Sequence, residues 1–262
     1  MNVGSVLGRR VSAAVLTAVV VLASPVALSA QRGAGPAPTP RTAAPIDLAG
    51  YWVSMIVDEW RFRVTPQKGD ILYLPINAEA RRVAGDWDPA RDEVEGNQCR
   101  AYGAVGVMQR PGRLHITWED DSTLRIETDA GTQTRLLRFG SAPADLGPPS
   151  WQGYSAAEWE LPGGGRGRRG APPPAAARTG ALKVVTRNLR PGYIRKNGVP
   201  HSGSAVLTEY LALLTGQQND TYMLLTAIVE DAAYLTQPFI RSYTFKKVPD
   251  ATGWDPTPCW PR

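Results

Sequence analysis

The chain has 262 residues, with 29 basic and 24 acidic side chains and a formal net charge of +5. Six of the basic residues are arginines in residues 1–30 and 161–180, which leaves 23 basic against 24 acidic residues elsewhere. Nucleic-acid binding requires positive charge clustered on a folded face. The charge distribution therefore excludes nucleic acid as a partner.

Residues 1–30 have the features of a secretory signal peptide. Arg9 and Arg10 precede the apolar run Val11–Ala23, and small residues follow as far as Ala30. The run is shorter than the ~20 residues that a membrane-spanning helix needs, although a retained anchor is the alternative. We expect cleavage near Ala30, no membrane span afterwards, and a periplasmic or secreted protein.

The first part of the mature chain combines a leader with a few short elements. Residues 31–45 are rich in proline and alanine, which predicts a disordered leader. Asp47–Val57 is the first predicted strand, and Pro75–Trp87 is predicted as a short helix capped by Asn77. Residues 88–97 are predicted as an acidic turn, and the glycine-containing residues 101–112 as a strand or loop.

The clearest strand pattern lies in Arg113–Phe139. Apolar residues alternate with polar ones through Leu114 and Ile116 and again through Leu124 and Ile126. A period of two indicates half-buried strands. Turn-forming residues separate the runs, so we predict three consecutive strands with two tight turns.

Residues 161–180 form a second low-complexity segment, rich in glycine, proline and arginine. The segment lies between Ala156–Glu160 and Leu182–Val185, which have the pattern of two hairpin arms. A long flexible insertion at a hairpin tip adds little closure entropy. We therefore predict a single domain over residues 46–262 that carries a flexible insertion.

The remaining pattern defines the fold class. Four further strands are predicted: Leu182–Asn188, Ala205–Leu214, Thr221–Glu230 and Phe239–Val248. The total of nine or ten strands with one short helix predicts an all-β, antiparallel, barrel-like domain. A sandwich is the alternative, but closure of a barrel removes exposed strand edges.

Two cysteines, Cys99 and Cys259, are far apart in the sequence. Export would place them where disulfides form, and a bridge would tie the C-terminal tail back to the segment before Arg113. Two unpaired buried thiols are the alternative. The chain has two histidines and no CxxC motif, so we predict no metal site and no cofactor.

An ordered set of segments resembles a large family of uncharacterised exported bacterial proteins. The segments are DLAGYW, DPARD before a cysteine, PSWQGYSAAEW, NGVPHSGSAVLTEY and EDAAYLTQPF. The resemblance covers most of residues 46–259. It implies an exported protein and no particular chemistry.

A shorter motif is similar to the start of lipocalins and related barrels. Gly50-Tyr51-Trp52 matches their Gly-x-Trp at the first strand. The resemblance implies a lipocalin-like barrel in which Arg241, in the last strand, stacks over Trp52 through a cation–π contact.

His201 is the candidate for acid–base chemistry, because histidine titrates near neutral pH. A carboxylate such as Glu209 or Asp231 would orient it. The alternative is a loop histidine that bonds to the backbone. His115 is expected on a strand surface.

The aromatic residues indicate either a β-core or the wall of a ligand pocket. The candidate ligand-binding residues are Trp52, Trp118, Trp151, Tyr154, Tyr210 and Arg241. We expect the protein to bind a small, partly apolar molecule in a barrel cavity. An isomerase, lyase or hydrolase that uses His201 and a structural envelope protein are the alternatives.

Overall fold

The fold is a closed barrel of nine strands, as the alternation predicts. A computed structural model describes residues 37–57, 60–161 and 180–261. The predicted signal peptide and nearly all of the predicted insertion lie outside these residues. Residues from Pro38 onward cluster as one compact unit.

The strands follow the predicted positions closely. Their bounds are β1 (Gly50–Ser54), β2 (Arg113–Asp120), β3 (Thr123–Thr128), β4 (Gln133–Phe139), β5 (Tyr154–Glu160), β6 (Ala181–Arg187), β7 (Gly192–Arg195), β8 (Val199–His201), β9 (Val206–Thr215), β10 (Thr221–Glu230) and β11 (Phe239–Val248). Around the barrel the order is β1-β11-β10-β9-β6-β5-β4-β3-β2, while β7 and β8 form a separate two-stranded sheet.

One strand pair departs from the predicted antiparallel arrangement. β4 and β5 run parallel, with Leu137 opposite Ser155 and Phe139 opposite Ala157. The proline- and glycine-rich residues 140–153 connect them and contain no strand of the barrel. The connection returns the chain to the end at which β4 began, because parallel neighbours cannot be joined by a tight hairpin.

The hairpin predicted around the insertion is confirmed. β5 and β6 are antiparallel, and Glu160 pairs with Ala181 on either side of the insertion. A long segment is tolerated there because the ladder on both sides fixes its ends.

Alternate residues of each barrel strand point into the lumen. In β3 these are Leu124, Ile126 and Thr128, and all three are buried. The same alternation in the other strands joins the inward side chains into one hydrophobic core. The buried apolar area stabilises the barrel at roughly 25 cal/mol per Å².

The barrel end at the β2–β3 turn is covered by residues 38–48; we call it the closed end. Trp159 donates from Nε1 to the Pro40 carbonyl at 2.8 Å, and the Arg41 amide donates to the Asp121 carbonyl at 3.1 Å. Leu48 is buried in the core. The described part of the predicted disordered leader is thus bonded to the barrel, because its backbone groups find partners there.

The opposite end is the mouth. β1 ends there and β2 begins there, so residues 55–57 and 60–112 lie at this end, as do the segments 188–205 and 231–238. In the described part of the mouth there are four short α-helices: α1 (Trp60–Arg63), α2 (Ala78–Asp86), α3 (Pro89–Val94) and α4 (Ala104–Val107).

The predicted helix is confirmed as α2, and Asn77 caps it by accepting from the Ala80 amide at 2.9 Å. The predicted turn at 88–97 contains α3 instead. Asp88 caps α3 and Pro89 occupies its first turn, an arrangement that favours a helix start. Residues 104–107 are likewise helical rather than extended.

The predicted disulfide between Cys99 and Cys259 is confirmed. It fixes the C-terminal tail, which also bonds to the β3–β4 turn: Thr257 donates its amide to the Asp129 carbonyl at 2.9 Å. Over the described ranges, no helix has both the length and the apolar composition to cross a membrane.

Candidate ligand-binding site

The rim cleft is an open cleft of about 430 Å³ at the barrel mouth. It is formed where the loop before α2 meets the start of β11, and its lining residues are Tyr73, Leu74, Pro75, Gln237, Pro238, Phe239, Ile240 and Arg241. Most of these side chains are apolar. Among the described lining residues, Arg241 carries the one formal charge.

The lip of the rim cleft exposes large apolar side chains. Tyr73 is 70% exposed, Leu72 55% and Ile240 49%. Tyr73 has a φ of 62°, in the left-handed region that non-glycine residues rarely adopt. Exposed apolar side chains grouped beside a cleft indicate a contact surface for another molecule.

The inward face of β11 links the rim cleft to the barrel core. Phe239, Arg241, Tyr243 and Phe245 succeed one another on this face. Arg241 lies over the Phe239 ring at 4.6 Å, and Arg63 lies 4.9 Å from the Phe245 centroid. The row therefore places one guanidinium, that of Arg241, between the residues Phe239 and Tyr243, and Arg63 of α1 covers the rings further in.

Three buried arginines, Arg63, Arg110 and Arg195, lie behind this row, and we call them the arginine cluster. Arg63 stands at the end of α1, Arg110 follows α4, and Arg195 ends β7. Separate elements of the mouth thus bring three positive charges into one buried region. None of these three residues was assigned a role from the sequence.

Arg195 holds the loop that forms one side of the mouth. Its Nη1 donates to the Asp70 carbonyl and its Nη2 to the Arg61 carbonyl, each at 2.9 Å. The Asp70 carboxylate lies 4.0 Å away. Burial lowers the pKa of Arg195, and Arg61 and Arg241 lower it further, while the Asp70 charge opposes the shift.

Arg110 is 6% exposed. Burial lowers the pKa of its guanidinium to about 10, and the charges of Arg195 and Arg63 act in the same direction. Tyr102 and Tyr243 oppose the shift. Because a pKa of 10 is well above neutral pH, Arg110 is a buried cation under ordinary conditions.

The barrel lumen contains a buried ion pair, separate from the arginine cluster. Glu209 on β9 accepts from Arg135 on β4 through two bonds, Nη2–Oε2 at 2.6 Å and Nη1–Oε1 at 3.0 Å. Arg135 Nη2 also reaches Thr186 Oγ1 at 3.4 Å, and that hydroxyl lies 2.8 Å from Ser155 Oγ. Glu209 is therefore engaged by Arg135, and no hydrogen bond to His201 is observed among the described residues.

His201 is buried in β8 and bonds to the backbone. Its Nδ1 lies 3.0 Å from the Ser202 carbonyl, so in the neutral ring Nδ1 carries the proton and donates it. Burial lowers the pKa of His201, while the Ser202 carbonyl and the charge of Asp231 oppose the shift. The imidazole is thus held as a neutral, packed group.

Asp231 lies near His201 but is occupied by a turn. It accepts from the Ser202 amide at 2.6 Å, from Ser202 Oγ at 2.8 Å and from the Ala233 amide at 3.0 Å. The structure therefore brings His201 and Asp231 into one neighbourhood without a direct bond between them.

The aromatic candidates are dispersed. Trp52 is fully buried and donates from Nε1 to the Leu48 carbonyl at 2.9 Å. Trp118 packs with Phe139 and Trp159 towards the closed end. These two tryptophans belong to the core and its closure rather than to the rim cleft.

The other three aromatic candidates lie outside the lumen. Arg190 covers Trp151 at 4.7 Å and Arg138 covers Tyr154 at 5.2 Å. Tyr210 faces the side of β9 opposite to Glu209. Of the six predicted binding residues, Arg241 alone lines the rim cleft.

The contact expected between Arg241 and Trp52 is replaced by another. Lys247 Nζ lies 5.4 Å from the Trp52 ring, whereas Arg241 lies over Phe239. The reason is position along β11: Lys247 is opposite Trp52 in the β1–β11 register, and Arg241 is six residues nearer the mouth.

His115 lies on the outer face, as expected. It stacks on Tyr51 with centroids 4.1 Å apart, and its Nδ1 lies 3.2 Å from Glu127 Oε2. Across residues 37–57, 60–161 and 180–261, no group of three or more histidine, cysteine or acidic side chains is placed to hold a metal ion.

A sequence signal exists for Arg135, the partner of Glu209, which no sequence prediction named. Arg135 and Glu209 occupy inward positions of their strands, in phase with Leu137 and Leu211. A charge in phase with buried residues indicates an internal ion pair. Arg110 lies in irregular structure, where no such phase exists.

A comparison of the chain with protein-family models, with curated proteins and with solved structures finds no match. The site is therefore interpreted from its own geometry.

Proposed function

We propose that this is an exported protein that binds a small, partly apolar molecule without covalent chemistry, and that the rim cleft holds the ligand. The observation that carries the proposal is a cleft of about 430 Å³ whose described lining combines apolar side chains with the polar groups of Gln237 and Arg241. Ligand sites commonly occupy 300–1,000 Å³ and combine apolar walls with a few polar groups.

The position at the rim, rather than in the lumen, follows from packing. The inward side chains of the strands, such as Trp52 and Ile116, are buried in one core, and Arg135 and Glu209 bridge the lumen. A ligand that entered the lumen would displace these groups. The rim cleft requires no such displacement.

Two further observations support the proposal. The disulfide between Cys99 and Cys259 is typical of proteins in oxidising compartments. The candidate catalytic groups are each engaged elsewhere: His201 with a backbone carbonyl, Asp231 with a turn and Glu209 with Arg135. Simple binding therefore agrees better with the geometry than acid–base catalysis.

The test uses the fluorescence of a neutral apolar probe, N-phenylnaphthylamine, titrated with the purified protein. Tyr73→Asn removes the aromatic lip and keeps a residue that tolerates a positive φ, so we expect about tenfold weaker binding. Leu214→Asn is the control, because Leu214 is an exposed apolar residue near the closed end. Absence of probe binding to the wild type, or equal binding to both variants, would refute the rim cleft and favour a structural role.

A further inference from the structure

A second cleft lies at the mouth between α2, α3 and β7, and its volume is about 250 Å³. None of its described lining residues lines the rim cleft. We call it the polar cleft, because charged side chains predominate in its lining. These are Arg82, Asp86, Asp88, Arg91, Asp92 and Arg100.

Asp92 is the buried centre of the polar cleft. Its carboxylate is 5% exposed, and it accepts from Arg100 Nη1 at 2.9 Å, from the Tyr193 hydroxyl at 2.8 Å and from Trp87 Nε1 at 3.1 Å. Burial raises the pKa of Tyr193 to about 12, with Arg100 opposing the shift and Asp92 adding to it. The phenol therefore stays protonated and continues to donate to Asp92. These bonds fix α3, β7 and the residue after Cys99 in one arrangement.

The residues around Asp92 retain polar atoms that the described part of the protein does not use. Arg91 is exposed and makes no side-chain hydrogen bond or ion pair to another described residue. Arg100 bonds through Nη1 alone, so its Nη2 and Nε are free of described partners. Asp88 caps α3 through Oδ1, which leaves Oδ2 as an acceptor. Unused donors and an unused acceptor thus belong to residues that line one cleft.

The charges of the polar cleft balance. Three arginines and three aspartates line it. Arg82 pairs with Asp86 at 2.9 Å, and Arg100 pairs with Asp92 at the same distance. A balanced lining does not favour a strongly charged ligand. It suits a neutral molecule that both donates and accepts hydrogen bonds, as a hydroxyl group does.

Two aromatic rings add apolar surface to the polar cleft. Trp87 and Tyr193 both line it, with ring centroids 6.5 Å apart and ring planes at 80°. A Cβ at Gly198 would collide with Trp87, so the backbone packs tightly against this indole, and its N–H is held by Asp92. An aromatic ring fixed in this way offers a firm surface for the C–H groups of a ligand.

We propose that the polar cleft binds a neutral sugar of the size of one monosaccharide, independently of the ligand of the rim cleft. Arg91 and Arg100 donate to hydroxyl oxygens, Asp88 accepts from a hydroxyl, and Trp87 contacts the C–H face of the sugar ring. The volume of about 250 Å³ lies just below that of sites for drug-sized ligands. It therefore matches a single six-membered ring.

The experiment adds glucose, galactose, mannose or N-acetylglucosamine to the purified protein and records ¹H–¹⁵N NMR spectra. The indole N–H signal of Trp87 is assigned from its absence in Trp87→Phe. It reports on the polar cleft, because this N–H bonds to Asp92. We expect at least one sugar to shift the signal with a Kd of about 0.1–10 mM. Inorganic phosphate and glycine, which are charged, should leave it unchanged.

Arg91→Ala tests the site with little risk to the fold, because the Arg91 side chain is exposed and has no described partner. It should weaken sugar binding about tenfold, the effect of losing one charge-assisted hydrogen bond. Arg81→Ala is the matched control, since Arg81 is an exposed arginine of α2 that does not line the polar cleft. Its affinity should equal that of the wild type.

The outcomes decide the proposal. If none of the four sugars shifts the Trp87 signal, or if Arg91→Ala and Arg81→Ala bind sugar equally well, the proposal is overturned. A shift with phosphate or glycine but with no sugar would also overturn it, in favour of a site for charged molecules. Tyr73→Asn alters only the rim cleft and should bind sugar as the wild type does, so the two proposed sites are tested separately.

Discussion

Arg135 and Glu209 form a two-bond ion pair across the barrel lumen, between strands that are not neighbours in the sheet. β5 and β6 lie between their strands, and the hydroxyls of Ser155 and Thr186 on these strands lie beneath the pair. The two charges are 1% and 2% exposed. The pair therefore couples two strands that are three positions apart in the barrel wall, in an environment where neither partner can be hydrated.

Glu209→Gln should destabilise the fold by about 3–5 kcal/mol, because it leaves Arg135 as an unpaired buried charge. The double variant Arg135→Met/Glu209→Leu should recover most of this loss. Denaturant unfolding of the single and double variants measures both values. The exposed pair Arg125–Glu119 is the control, and its disruption should change stability far less. Additive losses in the double variant would contradict the coupling.

Reduction of the Cys99–Cys259 disulfide should destabilise the protein by up to about 5 kcal/mol, since the bridge closes a loop of 160 residues in the unfolded chain. Chemical denaturation with and without reductant measures the change. Cys99→Ser should unfold at the same midpoint in both conditions. A wild type that is insensitive to reductant under unfolding conditions would contradict the role of the bridge.

Gly192→Ala should destabilise the protein by about 1–3 kcal/mol through overpacking. A Cβ at this position would lie 2.8 Å from His201 Nε2 and 2.9 Å from the Arg100 carbonyl. Gly85→Ala is the matched control, because its Cβ meets nothing within 4 Å and α2 gains a better helix former. The two substitutions should therefore shift the melting temperature in opposite directions.

His201 should make stability depend on pH below about 6.5. Burial lowers its pKa in the folded state, so the unfolded chain binds a proton first as the pH falls. The stability present above pH 6.5 is therefore lost as the pH falls through the folded pKa. His201→Asn retains a donor near the Ser202 carbonyl and does not titrate. Its unfolding free energy should fall less than that of the wild type between pH 7 and pH 5, and equal losses would contradict this assignment.

The barrel was predictable because its strands carry the period of two that burial of one face imposes. Arg113–Phe139 yields three strands at the predicted positions, and Asn77 caps the predicted helix. α3 was missed although Asp88-Pro89 is a helix-start signal, because acidic residues also favour turns.

The candidate site was less predictable for a different reason. The partner of Glu209 is 74 residues away, and its identity depends on the order of strands around the barrel. The position of Lys247 rather than Arg241 over Trp52 depends on strand register. Arg110 is buried only because separate segments of the mouth meet around it. Local patterns contain none of this information.

The parallel contact between β4 and β5 follows from arithmetic. If every pair of neighbouring strands in a closed barrel were antiparallel, the strand directions would alternate up and down around the barrel. An odd number of strands cannot alternate all the way round, so at least one neighbouring pair must be parallel. A barrel of nine strands must therefore contain a parallel pair, and here that pair is β4 and β5, which are joined through three residue pairs. Gain or loss of one strand would remove the need for it. Related barrels of eight or ten strands should therefore replace the 140–153 crossover with a hairpin. Related barrels that keep an odd number of strands, through gain or loss of a pair, should retain the crossover.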